Sequence, residues 1–356
     1  MRNERNCIDR GRDFYASPVT RHDLQRGEIY LKNILVTGGA GYIGSHTVSL
    51  LLDKAYNTVT YDNLSEGHRE AILGGEFVEG ELSDIDCLKD TMTRYSIDSV
   101  VHFAAKCYVG ESMENPQKYY YENVVNGLNL LKAMVECSVK QIIFSSSAAT
   151  YGNPLHIPIT EEHPTEPINT YGYTKLVFEH ILRDYARAYG LKYISLRYFN
   201  AAGADPKGRI GENHSPETHL IPLVLDAAAG VRENIKIYGN DYETEDGTCV
   251  RDYIHILDLA EAHILALKKL SEGGESSVYN LGTGKGNSVK EIIEVARKVT
   301  GKDISCKEIE RRPGDPPVLI ASSERAKKEL GWKPAFEDIY NIIETAWNWH
   351  RKMVKI

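Results

Sequence analysis

Short apolar runs recur along the first two hundred residues, each closed by glycine, serine or a charged side chain. The first, NILVT at 33–37, leads straight into TGGAGYIG at 37–44. Ile43, Val48, Leu51 and Leu52 then fall at helical spacing, which predicts a helix packed on a sheet over 42–52. TVTYD at 58–62 reads as a second strand, giving a β-α-β unit of about 30 residues. EFVEG (76–80), SVVHFAA (99–105), QIIFSSS (141–147) and YISLRYF (193–199) continue the series, with helical stretches over 116–136 and 172–188. Strands alternating with helices imply an α/β fold with a doubly wound, mostly parallel, Rossmann-type sheet.

After about Asn200 the rhythm breaks. The stretch 200–219 is loop-like, and IKIYG (235–239) and VYNLG (278–282) follow as short strands, with helical segments near 288–300 and 322–330. The expected organisation is a Rossmann-type domain over 31–200, which the glycine loop at 37–44 makes the NAD-binding one, and a smaller α/β substrate domain over 201–356, some segments of which return to the core. Residues 1–30 are polar, rich in Arg and acidic groups, and have no apolar signal region. They are expected to be a disordered extension, or an upstream stretch read as coding, with translation starting near Leu31.

Composition narrows the function. The chain of 356 residues carries a net charge of −8, which argues against a nucleic-acid or anionic-membrane surface. No apolar run approaches the roughly 20 residues that span a bilayer. The six cysteines are scattered, without a C-x-x-C or a His/Cys cluster at metal-ligand spacing. They read as reduced thiols of a cytoplasmic protein, and no metal is expected.

The glycine loop holds two fingerprints at once. Gly38, Gly41 and Gly44 are spaced G-x-x-G-x-x-G, and Gly39, Gly41 and Gly44 are spaced G-x-G-x-x-G. Glycines let the backbone approach a pyrophosphate whose charge sits at the N-terminus of the following helix. Asp62, 18 residues beyond Gly44 at the end of the next strand, can accept from a ribose 2′-hydroxyl and would repel a 2′-phosphate, favouring NAD. A second pair, Tyr171 and Lys175, lies one helical turn apart at the start of the helix after FSSSAAT, whose strand ends at Ser147. A tyrosine needs its pKa lowered by about three units to act as a base at neutral pH, and a nearby ammonium and a cationic nicotinamide both favour phenolate.

TGGAGYIG, HFAA (102–105), Ser147 and the Tyr171-x-x-x-Lys175 pair together resemble the extended short-chain dehydrogenase/reductase superfamily. RYFNAAGADP (197–206), ETHLIP (217–222), IYGNDYETEDGTCVRDYIHILDLA (237–260), YNLGTGKGNSV (279–289) and RRPGDPP (311–317) sharpen the likeness to its UDP-glucose 4-epimerase family. The similarity runs from about Leu31 to the C-terminus, and DGTCVRDYIH is far more specific than the glycine loop. The resemblance implies reversible 4-epimerisation of UDP-glucose and UDP-galactose by transient oxidation at C4, with tightly bound NAD. It makes Tyr171 the base, Lys175 the holder of the nicotinamide ribose and Ser147 a hydrogen-bond partner of the sugar oxygen. Tyr42, Ile43, Asn63, Glu81, Leu82, Phe103, Ala104, Ala105, Asn123 and Phe199 join the glycine loop and Asp62 as implied cofactor residues. Asn200, His219, Leu220, Tyr238, Arg251, Arg312, Asp315 and Leu319 are the implied UDP-sugar residues, and a homodimer is implied as well.

Departures from the family pattern are local. Cys107 stands where some members carry lysine, with Lys106 one position earlier and therefore left unassigned; Glu81-Leu82 replaces Asp-Ile or Asp-Leu; and Glu122-Asn123-Val124 replaces NNV. Leu319 falls where some members place tyrosine, which implies room for an N-acetyl group. A nucleotide-sugar dehydratase is disfavoured because Ser147 is followed by Ala148-Ala149 and so lacks an acid–base pair. A UDP-glucuronate 4-epimerase stays open. A non-catalytic NAD sensor would have no need of Ser147, Tyr171 and Lys175.

Overall fold

The computed structural model describes residues 32–312 and 315–356; the expectations for residues 1–30 lie outside the described residues. The chain begins with β1 (Asn33–Thr37), α1 (Tyr42–Asp53), β2 (Asn57–Asp62), β3 (Glu76–Glu79), α2 (Ile85–Arg94) and β4 (Ser99–His102). Helices α3 (Val109–Glu114), α4 (Pro116–Tyr120) and α5 (Asn126–Glu136) lead to β5 (Gln141–Ser147), α6 (Thr170–Tyr189) and β6 (Lys192–Tyr198). The remainder comprises β7 (Asn200–Ala202), α7 (Leu220–Ala228), β8 (Ile235–Tyr238), β9 (Val250–His255), α8 (Ile256–Ser271), β10 (Ser277–Leu281) and β11 (Gly286–Ser288). Then come α9 (Val289–Thr300), β12 (Cys306–Ile309), β13 (Val318–Leu319), α10 (Glu324–Leu330) and α11 (Ile339–Met353).

Seven strands form one parallel sheet in the order β10-β6-β5-β4-β1-β2-β3. Val48 and Leu51 of α1 and Leu259, Leu267 and Leu270 of α8 bury against one face, joined by Trp332. Leu88 of α2, Leu130 and Met134 of α5 and Phe178 of α6 cover the other. Strands sandwiched in this way read as continuous apolar runs, which is why β1, β4 and β5 carry no alternation.

One expectation is sharpened and one corrected. VYNLG belongs to the main sheet, where β10 pairs in parallel with β6 and Tyr279 and Leu281 enter its core. The helix expected over 116–136 is three pieces: α4 and α5 flank a π-helical turn at Tyr121–Val125. Such turns often occur at functional sites, and this one carries Glu122 and Asn123. The smaller lobe has its own core from α7, α9 and α11 and a sheet in which β9 pairs with β7, β11 and β13. Among the described residues no helix is long and apolar enough to cross a membrane.

Candidate active site

The carboxyl ends of the central strands open into a cleft of about 1370 Å³ between the two lobes. A pocket for one small ligand typically measures roughly 300–1,000 Å³, so this cleft has room for two. Every site residue expected from the sequence lines it except Asn123 and, within the glycine loop, Gly39.

On the main-sheet side, Gly38 has φ +74°, and a Cβ there would stand 2.5 Å from the Ala104 nitrogen. A Cβ on Gly44 would lie 2.1 Å from the Gly38 carbonyl oxygen. Side chains at either position would push the loop off the neighbouring backbone and distort the cradle. Helix α1 starts at Gly41 with no side-chain cap and no acidic residue in its first turn, leaving its positive end open to an anion. Buried Asp62 accepts from the Ala40 and Leu64 N–H groups at 2.9 and 2.8 Å. Burial pushes its carboxyl up, and these bonds oppose that shift. Asn63 donates to the Glu81 carboxylate at 3.0 Å, so the longer Glu81 still closes the far end of the groove beside Leu82. These residues fit a dinucleotide.

Asn123 stands behind the wall. Its amide donates to the Lys106 carbonyl and the Thr174 hydroxyl, both at 3.0 Å, and its oxygen accepts the Lys106 N–H at 2.8 Å. It therefore reaches the groove only by fixing the segment after Ala105. Lys106, left unassigned from sequence, pairs with Glu66 at 2.7 Å. No local motif signals that pair, because it joins segments 40 residues apart.

At the centre, Asn169 caps α6 by accepting the Gly172 N–H at 2.8 Å, which sets Tyr171 in the first turn. The Ser147 hydroxyl, which accepts the Ala149 N–H at 3.1 Å, lines the cleft with the Tyr171 phenol and favours its ionised form. Lys175 is 3% exposed, donates to the Ser145 carbonyl at 2.8 Å and lies 5.7 Å from the Tyr171 ring centre. Burial pulls Lys175 down to about 8, against the carboxylate of Glu179 and the Cys107 thiol. Burial and then Tyr198 and Cys107 push the Tyr171 phenol well above its ordinary value, with Ser147 opposing them. The lysine alone therefore does not make the phenolate that its spacing suggested. Tyr198, which sequence reasoning missed, lines the cleft and hydrogen-bonds Ser145, the residue whose carbonyl holds Lys175.

The smaller lobe faces this centre with two cations. Arg251 on β9 lies beside Asp315 at 3.4 Å and donates to its neighbour's carbonyl, the Val250 oxygen, at 2.9 Å. The Arg312 guanidinium stacks 4.0 Å from the Tyr238 ring centre. Leu319 on β13 sits in register with Arg251, and Asn200 is anchored to the Asp252 carbonyl at 3.1 Å. His219 and Leu220 complete this side at the start of α7. His219 bonds Glu212, whose place in the cleft no sequence motif had marked.

A family model described as "NAD dependent epimerase/dehydratase family" matches residues 34–282. The UDP-glucose 4-epimerase of Halalkalibacterium halodurans is 55% identical over 90% of this chain and 96% of its own length. This chain belongs to the UDP-glucose 4-epimerase family. The crystal structure of the Brucella ovis UDP-glucose 4-epimerase in complex with NAD superposes with a TM-score of 0.87 at 51% identity, covering 89% of this chain and 97% of that one. The UDP-Glc/GlcNAc 4-epimerase of Campylobacter jejuni matches at 43% identity and a TM-score of 0.80, over 90% and 99%. In this chain Cys107 and Glu122 line the same cleft as Ser147, Tyr171 and Lys175.

Proposed function

We propose that this chain interconverts UDP-glucose and UDP-galactose by transient oxidation at the sugar C4. The observation that carries the reading is the position of Tyr171, Ser147 and Lys175 between a glycine cradle for a dinucleotide and the Arg251/Arg312 pair suited to a diphosphate. A C4–H beside only a hydroxyl is not acidic, so inversion there requires removal of hydride. NAD held by Gly38, Gly41, Gly44 and Asp62 supplies the hydride acceptor and donor. Tyr171 takes the 4-hydroxyl proton and returns it, and Ser147 orients the same oxygen. Lys175, fixed by Ser145, serves the nicotinamide ribose. Arg251 and Arg312 grip the diphosphate, so the 4-keto sugar can turn over without leaving, remote binding serving orientation.

Incubating the purified protein with UDP-galactose and no added NAD, and following UDP-glucose by NMR, tests the reading. Conversion supports it together with a retained cofactor. No conversion even with NAD supplied would sink it and favour UDP-glucuronate or another nucleotide sugar. The half-buried Leu319 in place of a tyrosine supports some turnover of N-acetylated UDP-sugars. Tyr120, Tyr121, Val125 and Tyr173 are exposed on neighbouring helical segments, which supports a homodimer through that face. The free Cys87, Cys107, Cys137, Cys249 and Cys306 support a reducing, cytoplasmic setting.

A further inference from the structure

The loop at the cleft mouth carries the spacing Glu212-x-His214-x-x-Glu217-x-His219, which folds back on itself. One ligand atom from each of the four side chains lies within 4.8 Å of all the others. His214 Nδ1 stands 3.2 Å from Glu212 and 3.7 Å from Glu217, and His219 Nδ1 stands 3.7 Å from Glu217 and in contact with Glu212. Four ligands on a tetrahedral ion with bonds of about 2.1 Å are separated by roughly 3.4 Å, so the pocket needs only small adjustments. The imidazoles cross edge to face, with ring centres 5.4 Å apart, which lets their nitrogens converge.

Two observations point beyond paired side chains. His214 Nδ1 is buried and, although 3.2 Å from the Glu212 carboxylate, makes no hydrogen bond of good geometry, a misalignment that a cation seated between the two would remove. Among the described residues, neither carboxylate pairs with a lysine or arginine; their ion-pair partners are the two histidines. The loop is held in place from outside the cluster. Trp349 donates to the Glu212 carbonyl at 3.1 Å, and His68 bonds the Asn213 carbonyl at 2.8 Å.

We propose that Glu212, His214, Glu217 and His219 bind one divalent first-row transition cation, with zinc the best match. Two imidazole nitrogens and two carboxylate oxygens form a borderline donor set that suits zinc better than magnesium or calcium. The ion would fix the loop that delivers His219 and Leu220 to the cleft. The inference is independent of the sugar chosen and of the reaction proposed above.

The test is calorimetric titration of chelator-washed, NAD-containing protein with zinc chloride, with far-UV circular dichroism and Tm as controls. One equivalent per chain should bind saturably and raise Tm. His214→Ala and Glu217→Gln should each weaken binding by at least about tenfold while leaving the dichroism and NAD content unchanged. Where His214→Ala does not fold, Glu217→Gln alone decides. Absence of a saturable equivalent would overturn the site and leave two histidine–carboxylate ion pairs. Binding that neither variant weakens would overturn it too, placing the zinc elsewhere.

Discussion

At the scale of single residues the centre depends on a compromise. Lys175 is held near 8 by burial, whereas in the unfolded chain it titrates near 10.5. Between those values the unfolded chain binds more protons, so stability rises with pH; the cost is fully present below 8 and disappears toward 10.5. Lys175→Met should therefore raise the Tm of cofactor-free protein at pH 7, with a gain on the order of 2 kcal/mol after the lost Ser145 bond is counted. The gap should close as pH climbs from 8 to 10.5, and a gap independent of pH would show that the ammonium is not strained. Tyr171→Phe should lower kcat by roughly 10²–10⁴-fold without releasing NAD, measured by turnover and by bound-cofactor absorbance. Arg312→Ala should act mainly on KM, by roughly tenfold to a hundredfold, if its guanidinium grips the diphosphate. The candidate centre was legible because Ser147 ends a strand, Tyr171 lies in the first turn of the next helix and Lys175 follows one turn later on the same face. The Lys106–Glu66 pair and Tyr198 were not, since their partners are distant in sequence and only the fold brings them together.

At the scale of elements, the glycine loop links packing to cofactor binding. Gly38→Ala must place a Cβ at a left-handed φ against the Ala104 backbone, costing about 1–2 kcal/mol in conformation alone before the clash. The variant should purify with little NAD and a lowered Tm, measured by cofactor absorbance and calorimetry. Leu319→Tyr on β13 should suppress turnover of N-acetylated UDP-sugars and spare UDP-galactose, as read by initial rates; equal loss on both would argue that Leu319 does not face the C2 substituent. The early strands were readable because a parallel sheet covered on both faces needs unbroken apolar runs. Helix α8 escaped notice because its buried Asp258, Leu259, Ala260, Ala262, His263 and Ile264 spread around most of its circumference, which blurs the single stripe that marks a surface helix. The π turn at Tyr121–Val125 escaped for another reason: one extra residue per turn leaves the local pattern helical.

At the scale of the whole molecule, the cleft exists only because later segments return to the early ones. Strand β10 and helix α8 complete the main sheet, and Trp332 donates from its ring to the Asp258 carbonyl at 2.8 Å. The same Asp258 carboxylate holds the Ala335 and Phe336 N–H groups, tying the chain beyond Arg312 to the core. Arg312, Asp315 and Leu319 all lie past the family-model match at 34–282, yet they line the same cavity as Tyr171. The sequence led to the expectation that some late segments return to the core but not which, because strand order along the chain does not give strand order in the sheet; 278–282 is one that returns. A cavity that holds both ligands at once lets a hydride leave and come back within a single binding event.

The most direct measurement follows that hydride. UDP-galactose carrying deuterium at C4 should be converted in ordinary water to UDP-glucose with the label still at C4, because the hydride returns to the carbon it left. A solvent proton at C4 of the product would contradict transient oxidation at this centre.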